Sequence, residues 1–111
     1  MKKPKSQPLF DMKDFPICIA RLGCLQGLGY DMEDLKLKPV IGIANSQTDI
    51  NPGHMHLKNI AEKVKEGVFM GGGIPMEFGV PAPCDVLTEG NNGMRFILAQ
   101  RFLVVRDVLA L

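Results

Sequence analysis

Two polar loops, each following an apolar run, hold most of the residues in this chain that could do chemistry. The first is Asn45-Ser46-Gln47-Thr48-Asp49-Ile50-Asn51-Pro52-Gly53-His54, after Pro39-Val40-Ile41-Gly42-Ile43-Ala44. The second is Pro81-Ala82-Pro83-Cys84-Asp85-Val86-Leu87-Thr88-Glu89-Gly90-Asn91-Asn92-Gly93-Met94, which sets two acids between a strand-like run and an apolar helical one. Open α/β sheets bind ligands where strands hand over to helices, so each loop is a candidate site. A carboxylate such as Asp85 in that position can ligate a hard cation, Mg²⁺ above all, which takes one or two protein carboxylates together with water and substrate. Asp85 can equally serve as a turn or capping residue, and Glu89 as a solvated turn acid. Asn51-Pro52 carries the residue types of a helix N-cap and its first-turn proline, so the first loop reads as a cap as well as a site.

Other chemical residues offer less. His54 and His56 lie two apart, face different directions on a helix and do not make the i, i+4 pair of a zinc helix. Gly71-Gly72-Gly73 is not followed by the Gly-Lys-Ser/Thr of a phosphate loop and reads as a turn. The three cysteines, Cys18, Cys24 and Cys84, contain no C-x-x-C pair and are odd in number, which disfavours a disulfide framework and a zinc ribbon and fits a reducing compartment. Cys18 and Cys24 read as small apolar residues of a buried helix.

The elements that must position the loops follow from apolar period. Ile17, Ile19, Ala20, Leu22, Leu25 and Leu28 recur at helical spacing after Pro16, and Gly27 and Gly29 end that helix. Asp31 to Lys38 forms a charged connection with a short helical turn. Val40 to Ala44 is apolar at successive positions, which predicts a strand covered on both faces, as in a parallel sheet. Leu57, Ile60, Ala61, Val64 and Val68 predict an amphipathic helix ended by the three glycines, and Ile74 to Val80 a second strand. Met94 to Leu111 predicts a third long helix, with Ile97, Leu98, Phe102, Val105, Val108 and Leu109 on one side and no stop signal after it. The order of elements is that of a βαβ unit. Residues 1–14, with Pro4 and Pro8 and no apolar period, read as a flexible arm, and residues 15–111 as one incomplete α/β unit.

Composition narrows the function classes. With 13 Lys plus Arg against 12 Asp plus Glu, the chain lacks the electrostatic footprint of a nucleic-acid binder. Lys2-Lys3-Pro4-Lys5 reads as a solvated tail. Ser6, Gln7, Pro8, Asp11, Lys13 and Asp14 interrupt any secretory signal, which predicts a cytoplasmic or equivalent reducing location. Arg95, Gln100, Arg101, Arg106 and Asp107 would sit at bilayer depth if the last segment spanned a membrane, which argues against a span.

Four blocks in order and spacing carry a resemblance: Ile43-Ala44-Asn45-Ser46; Asn51-Pro52-Gly53-His54-x-His56-Leu57; Gly72-Gly73-Ile74-Pro75-x-Glu77-Phe78; and Cys84-Asp85 through Glu89-Gly90-x-x-Gly93-Met94-Arg95. From about Pro16 onward they resemble the first third of the catalytic domain in the dihydroxy-acid dehydratase family, which also includes sugar-acid and phosphogluconate dehydratases. The resemblance implies an incomplete amino-terminal part of a larger domain. It implies an enzyme that converts a 2,3-dihydroxy carboxylate into a 2-oxo acid with Mg²⁺ and an iron–sulfur cluster, most simply in branched-chain amino-acid synthesis, with a sugar-acid dehydratase as the alternative. It also implies a homodimer, and it assigns the Mg²⁺ ligand in the Cys84-Asp85 block to Asp85.

The chain departs from the family at two places. Members with a 2Fe-2S cluster carry Asn-Pro-Cys where this chain has Asn51-Pro52-Gly53, so that cluster ligand is missing, as in members with glycine there and a 4Fe-4S cluster. Val86 replaces the glycine that commonly follows the Asp and implies a change in the local turn. Cys84 is not expected to bind the cluster. The remaining machinery implied by the resemblance, a Cys-Asp-Lys block, a further cluster cysteine and a serine base, is not found in these residues. The chain alone is therefore expected to be inactive. The competing reading is a non-catalytic binding or assembly module that uses its exposed apolar helix as a partner surface.

Overall fold

The computed structural model describes residues 3–10 and 15–110; the expectations for residues 1–2, 11–14 and 111 fall outside them. A 3₁₀ turn at Gln7–Phe10 precedes α1 (Phe15–Gly27), α2 (Met32–Leu37), β1 (Val40–Asn45), α3 (Leu57–Met70), β2 (Ile74–Gly79) and α4 (Asp85–Thr88). A second 3₁₀ turn at Asn92–Phe96 leads into α5 (Ile97–Ala110). The fold is α/β, with β1 and β2 forming a parallel two-stranded sheet. Its register is visible at both ends. Ile74 N–H donates to Pro39 O at 2.8 Å and Val80 N–H to Asn45 O at 3.0 Å, and the partners are 35 residues apart in each pair (74 − 39 and 80 − 45). A constant separation means parallel strands.

Helix ends follow local chemistry. Gly29 has φ 91°, and behind it Tyr30 N–H donates to Leu25 O and Gly29 N–H to Gln26 O. Gly72, φ 80°, repeats the arrangement after α3, with Gly73 N–H on Val68 O and Gly72 N–H on Phe69 O. Both are Schellman closures, in which a left-handed residue lets the last carbonyls be satisfied at little cost for glycine. Asp31 caps α2 with Oδ1 accepting from Glu33 N–H at 2.7 Å and Asp34 N–H at 3.2 Å. The charged connection after α1 thus holds a capped helix, and its Leu35 is fully buried.

Contacts divide the chain into two compact units, Met1–Ile41 with Lys65–Met76 and Gly42–Val64 with Glu77–Leu111. The first has a core of Phe10, Cys18, Leu22, Leu35 and Ile74, flanked by Leu25, Tyr30, Met32, Val40 and Met76. Phe10 belongs to the segment expected to be an arm, yet it is buried, and Arg21 donates to Leu9 O while Val40 N–H donates to Ser6 Oγ. Of the two α1 cysteines, Cys18 enters this core and Cys24 is exposed.

The second unit buries Ala61, Ile97 and Asn45. β1 differs from the expectation of cover on both faces, since Ile41 is 42% exposed. A sheet of two strands leaves one edge and much of a face of each strand without a neighbour, so the apolar run exceeds what these elements cover. On α5 most of the apolar residues are likewise exposed, Phe102 and Leu109 most strongly, and only Ile97 is buried.

Candidate functional site

Asn45 closes β1 and organises the loop after it. Its Nδ2 donates to Glu77 Oε1 on β2 at 2.9 Å, and its Oδ1 accepts from Gln47 N–H at 2.9 Å. Buried amides need such partners, because an unpaired one loses its hydration without compensation. Two residues of separate blocks in the sequence, Asn45 and Glu77, are therefore one structural unit at the carboxyl end of the sheet.

The next residue orients a histidine. His54 Nδ1 lies 2.8 Å from Ser46 Oγ and 3.0 Å from Ser46 O. A carbonyl oxygen only accepts, so the contact to Ser46 O calls for a proton on Nδ1. Asn51 does not cap α3. Its Oδ1 accepts from Gly53 N–H at 3.0 Å and its carbonyl from His54 N–H at 2.9 Å, while α3 begins at Leu57. The Asn-Pro pair makes a local turn because Asn side chains reach the backbone two residues ahead. A recess of about 260 Å³ opens beside this loop, walled by Ile43, Leu57, Ile60 and Val64.

The second loop is knitted internally. Cys84 takes the N-cap position of α4 without a side-chain cap bond, so Asp85 is the first helical residue rather than the cap. Glu89 N–H donates to Asp85 O at 2.8 Å, and the Thr88 hydroxyl lies 3.0 Å from Cys84 O and 3.2 Å from Asp85 O. Asn91 donates from Nδ2 to Leu87 O and accepts from Gly93 N–H at Oδ1. A Cβ on Gly93 would stand 2.8 Å from Asn91 Oδ1 and 2.9 Å from Thr88 Cγ2, so any larger residue here forces those side chains to shift. Val86 is accommodated within α4: no described non-glycine residue has positive φ, so its side chain carries no left-handed strain. Glu89 is an exposed residue at the end of α4.

The Asp85 carboxylate meets one side chain from α5. Arg101 Nη2 donates to Asp85 Oδ2 at 3.2 Å, with the two side chains 59% and 51% exposed. Among the described residues no three His, Cys, Asp or Glu side chains gather as a metal cluster would require. This donor set fits one hard carboxylate contribution to a Mg²⁺ shell, from Asp85, and does not fit the thiolate set of an iron–sulfur cluster.

Of the sequence-selected residues, the structure joins Ser46 to His54 and Asn45 to Glu77, and adds Arg101 to Asp85. Neither Glu77 nor Arg101 stood out in the sequence as a partner. Glu77 sat within one of the four blocks, a signal that it matters, but nothing local named its partner.

A family model described as Dihydroxy-acid/6-phosphogluconate dehydratase N-terminal matches residues 38–111. The chain is 47% identical over 79 residues to a dihydroxy-acid dehydratase of Acetivibrio thermocellus, covering 71% of this chain and 14% of the relative. It is 45% identical over 84 residues to that of Methanococcus vannielii, 76% of this chain and 15% of the relative. A third, from Methanothermobacter thermautotrophicus, is 52% identical over 71 residues, 64% of this chain and 13% of the relative. The chain thus spans about one seventh of the length of the curated relatives it matches. With both loops and the strands that carry them inside the matched region, the chain belongs to the dihydroxy-acid/6-phosphogluconate dehydratase family and corresponds to its amino-terminal part.

Proposed function

We propose that the full-length protein containing these residues dehydrates a 2,3-dihydroxy carboxylate to a 2-oxo acid, with Asp85 as a ligand of an active-site Mg²⁺. The observation that carries this reading is the placement of Asp85, within the family-matched region, as the first residue of the helix that follows β2, its backbone held by Glu89 and Thr88. In the reaction C2 loses a proton and C3 loses hydroxide, which together leave as water, and the resulting enol becomes the ketone. A Mg²⁺ held in part by Asp85 would supply positive charge that favours substrate binding and acidifies the C2 proton. Asp85 contributes one negative oxygen ligand. The Asn45–Glu77 hydrogen bond fixes the end of β1 and the start of the first loop.

The dihydroxy acid of branched-chain amino-acid synthesis is the proposed substrate, a sugar acid the alternative, and a homodimer in a reducing compartment the working form. Among the described residues no group of three potential metal ligands gathers, and the 111-residue chain alone is proposed to be inactive. Asp85→Asn in the full-length protein tests the core of the reading. It should remove most turnover at limiting Mg²⁺ while circular dichroism stays unchanged, because a lost ligand charge weakens the cation far more than it disturbs an exposed side chain. Wild-type turnover at limiting Mg²⁺ would refute the Asp85 assignment. Comparing kcat/KM for 2,3-dihydroxy-3-methylbutanoate and for a sugar acid separates the two substrates.

A further inference from the structure

Resting on Asp85 as a cation ligand, we infer that Arg101 is a displaceable counterion of this site: it occupies the Asp85 carboxylate when the cation is absent and competes with the cation for it. The geometry supports a latch that opens easily. Arg101 makes one contact, Nη2 to Oδ2 at 3.2 Å, rather than the paired fork that guanidinium and carboxylate groups adopt in strong complexes. Both side chains are more than half exposed, so water screens the attraction. Arg101 is also not needed to set the Asp85 backbone, which Glu89 N–H and the Thr88 hydroxyl already hold through the Asp85 carbonyl.

A divalent ion arriving at this carboxylate meets a guanidinium on the same group and is repelled twice as strongly as a monovalent ion at that distance. The alternative role, in which Arg101 orients Asp85 for the metal as an outer-shell partner, predicts the opposite sign, since losing such a partner weakens metal affinity. Displacement and orientation are therefore separable by direct binding.

The experiment uses Mn²⁺ as the probe and follows the unbound ion by electron paramagnetic resonance in the full-length protein, without substrate. Arg101→Gln should tighten Mn²⁺ binding about two- to fivefold, the range an exposed ion pair of up to ~1 kcal/mol can exert in competition. Arg101→Lys, which keeps the charge, should stay near wild type. Arg101→Met gives the same readout as Arg101→Gln should the latter fail to fold. Unchanged or weakened binding in a folded Arg101→Gln or Arg101→Met variant, with Asp85→Asn binding Mn²⁺ more weakly than wild type, would overturn the competition while leaving Asp85 as a ligand. Unchanged binding in Asp85→Asn would instead overturn the ligand assignment and this inference with it.

Discussion

Asn45→Asp changes one atom's chemistry at a buried position and should cost far more than its size suggests. Asn45 is 9% exposed and donates from Nδ2 to Glu77 Oε1 at 2.9 Å. The substitution keeps the oxygen that accepts from Gln47 N–H and replaces the donor by a second oxygen facing a carboxylate. Losing a hydrogen bond to a charged acceptor costs about 1.5–3 kcal/mol. Two negative oxygens near 3 Å add roughly 1 kcal/mol at the dielectric of water, the appropriate limit because Glu77 is itself exposed. With the lower end of the first term, the expected loss is ~2–3 kcal/mol. Urea unfolding of the 111-residue polypeptide at neutral pH, followed by circular dichroism, measures it. Adding Glu77→Gln restores a donor opposite the new carboxylate and should recover most of the loss, which a double-mutant cycle reads as coupling. The new carboxyl is repelled in the folded state, so its folded proton affinity rises above the unfolded one. The penalty is then complete at neutral pH and disappears as pH falls below the ordinary carboxylate range. Wild-type stability in Asn45→Asp, or a double variant no better than the single one, would refute the reasoning.

Gly93→Ala should loosen the second loop, because its Cβ would meet Asn91 Oδ1 at 2.8 Å and Thr88 Cγ2 at 2.9 Å; overpacking of this kind costs about 1–3 kcal/mol, read as earlier urea unfolding and faster proteolysis between Cys84 and Met94. Cys84→Ser in the full-length protein should leave unchanged whatever iron–sulfur absorption the wild type displays, since the thiol sits at an N-cap position and belongs to no described group of three potential metal ligands. Loss of bound iron from that variant would place Cys84 among the cluster ligands.

Much of this architecture was legible in the chain because its causes are local. The closures after α1 and α3 depend on Gly29 and Gly72, whose positive φ needs no distant residue to explain it. The α2 cap depends on Asp31 and backbone groups two and three residues away. The two strands and the crossover helix followed from apolar period, and the family blocks marked both loops and Asp85. Local chemistry also misled: Asn51-Pro52 has the composition of a helix start, but the Asn51 side chain closes its own turn on Gly53 and α3 begins at Leu57. Both outcomes satisfy the same backbone donors, so composition alone does not choose between them.

What only the tertiary structure decided are the pairings. Asn45 meets Glu77 across 32 residues because parallel strands held 35 residues out of step bring the end of β1 beside the end of β2. Asp85 meets Arg101 across 16 residues because α5 passes its guanidinium over the first turn of α4. The cover of β1 and α5 was also undecided, since an apolar run states that a side chain favours burial without naming the surface that buries it. Side-chain period is a property of one segment and survives in the sequence, whereas a partner is fixed by register and packing, which exist only once separate segments are brought together.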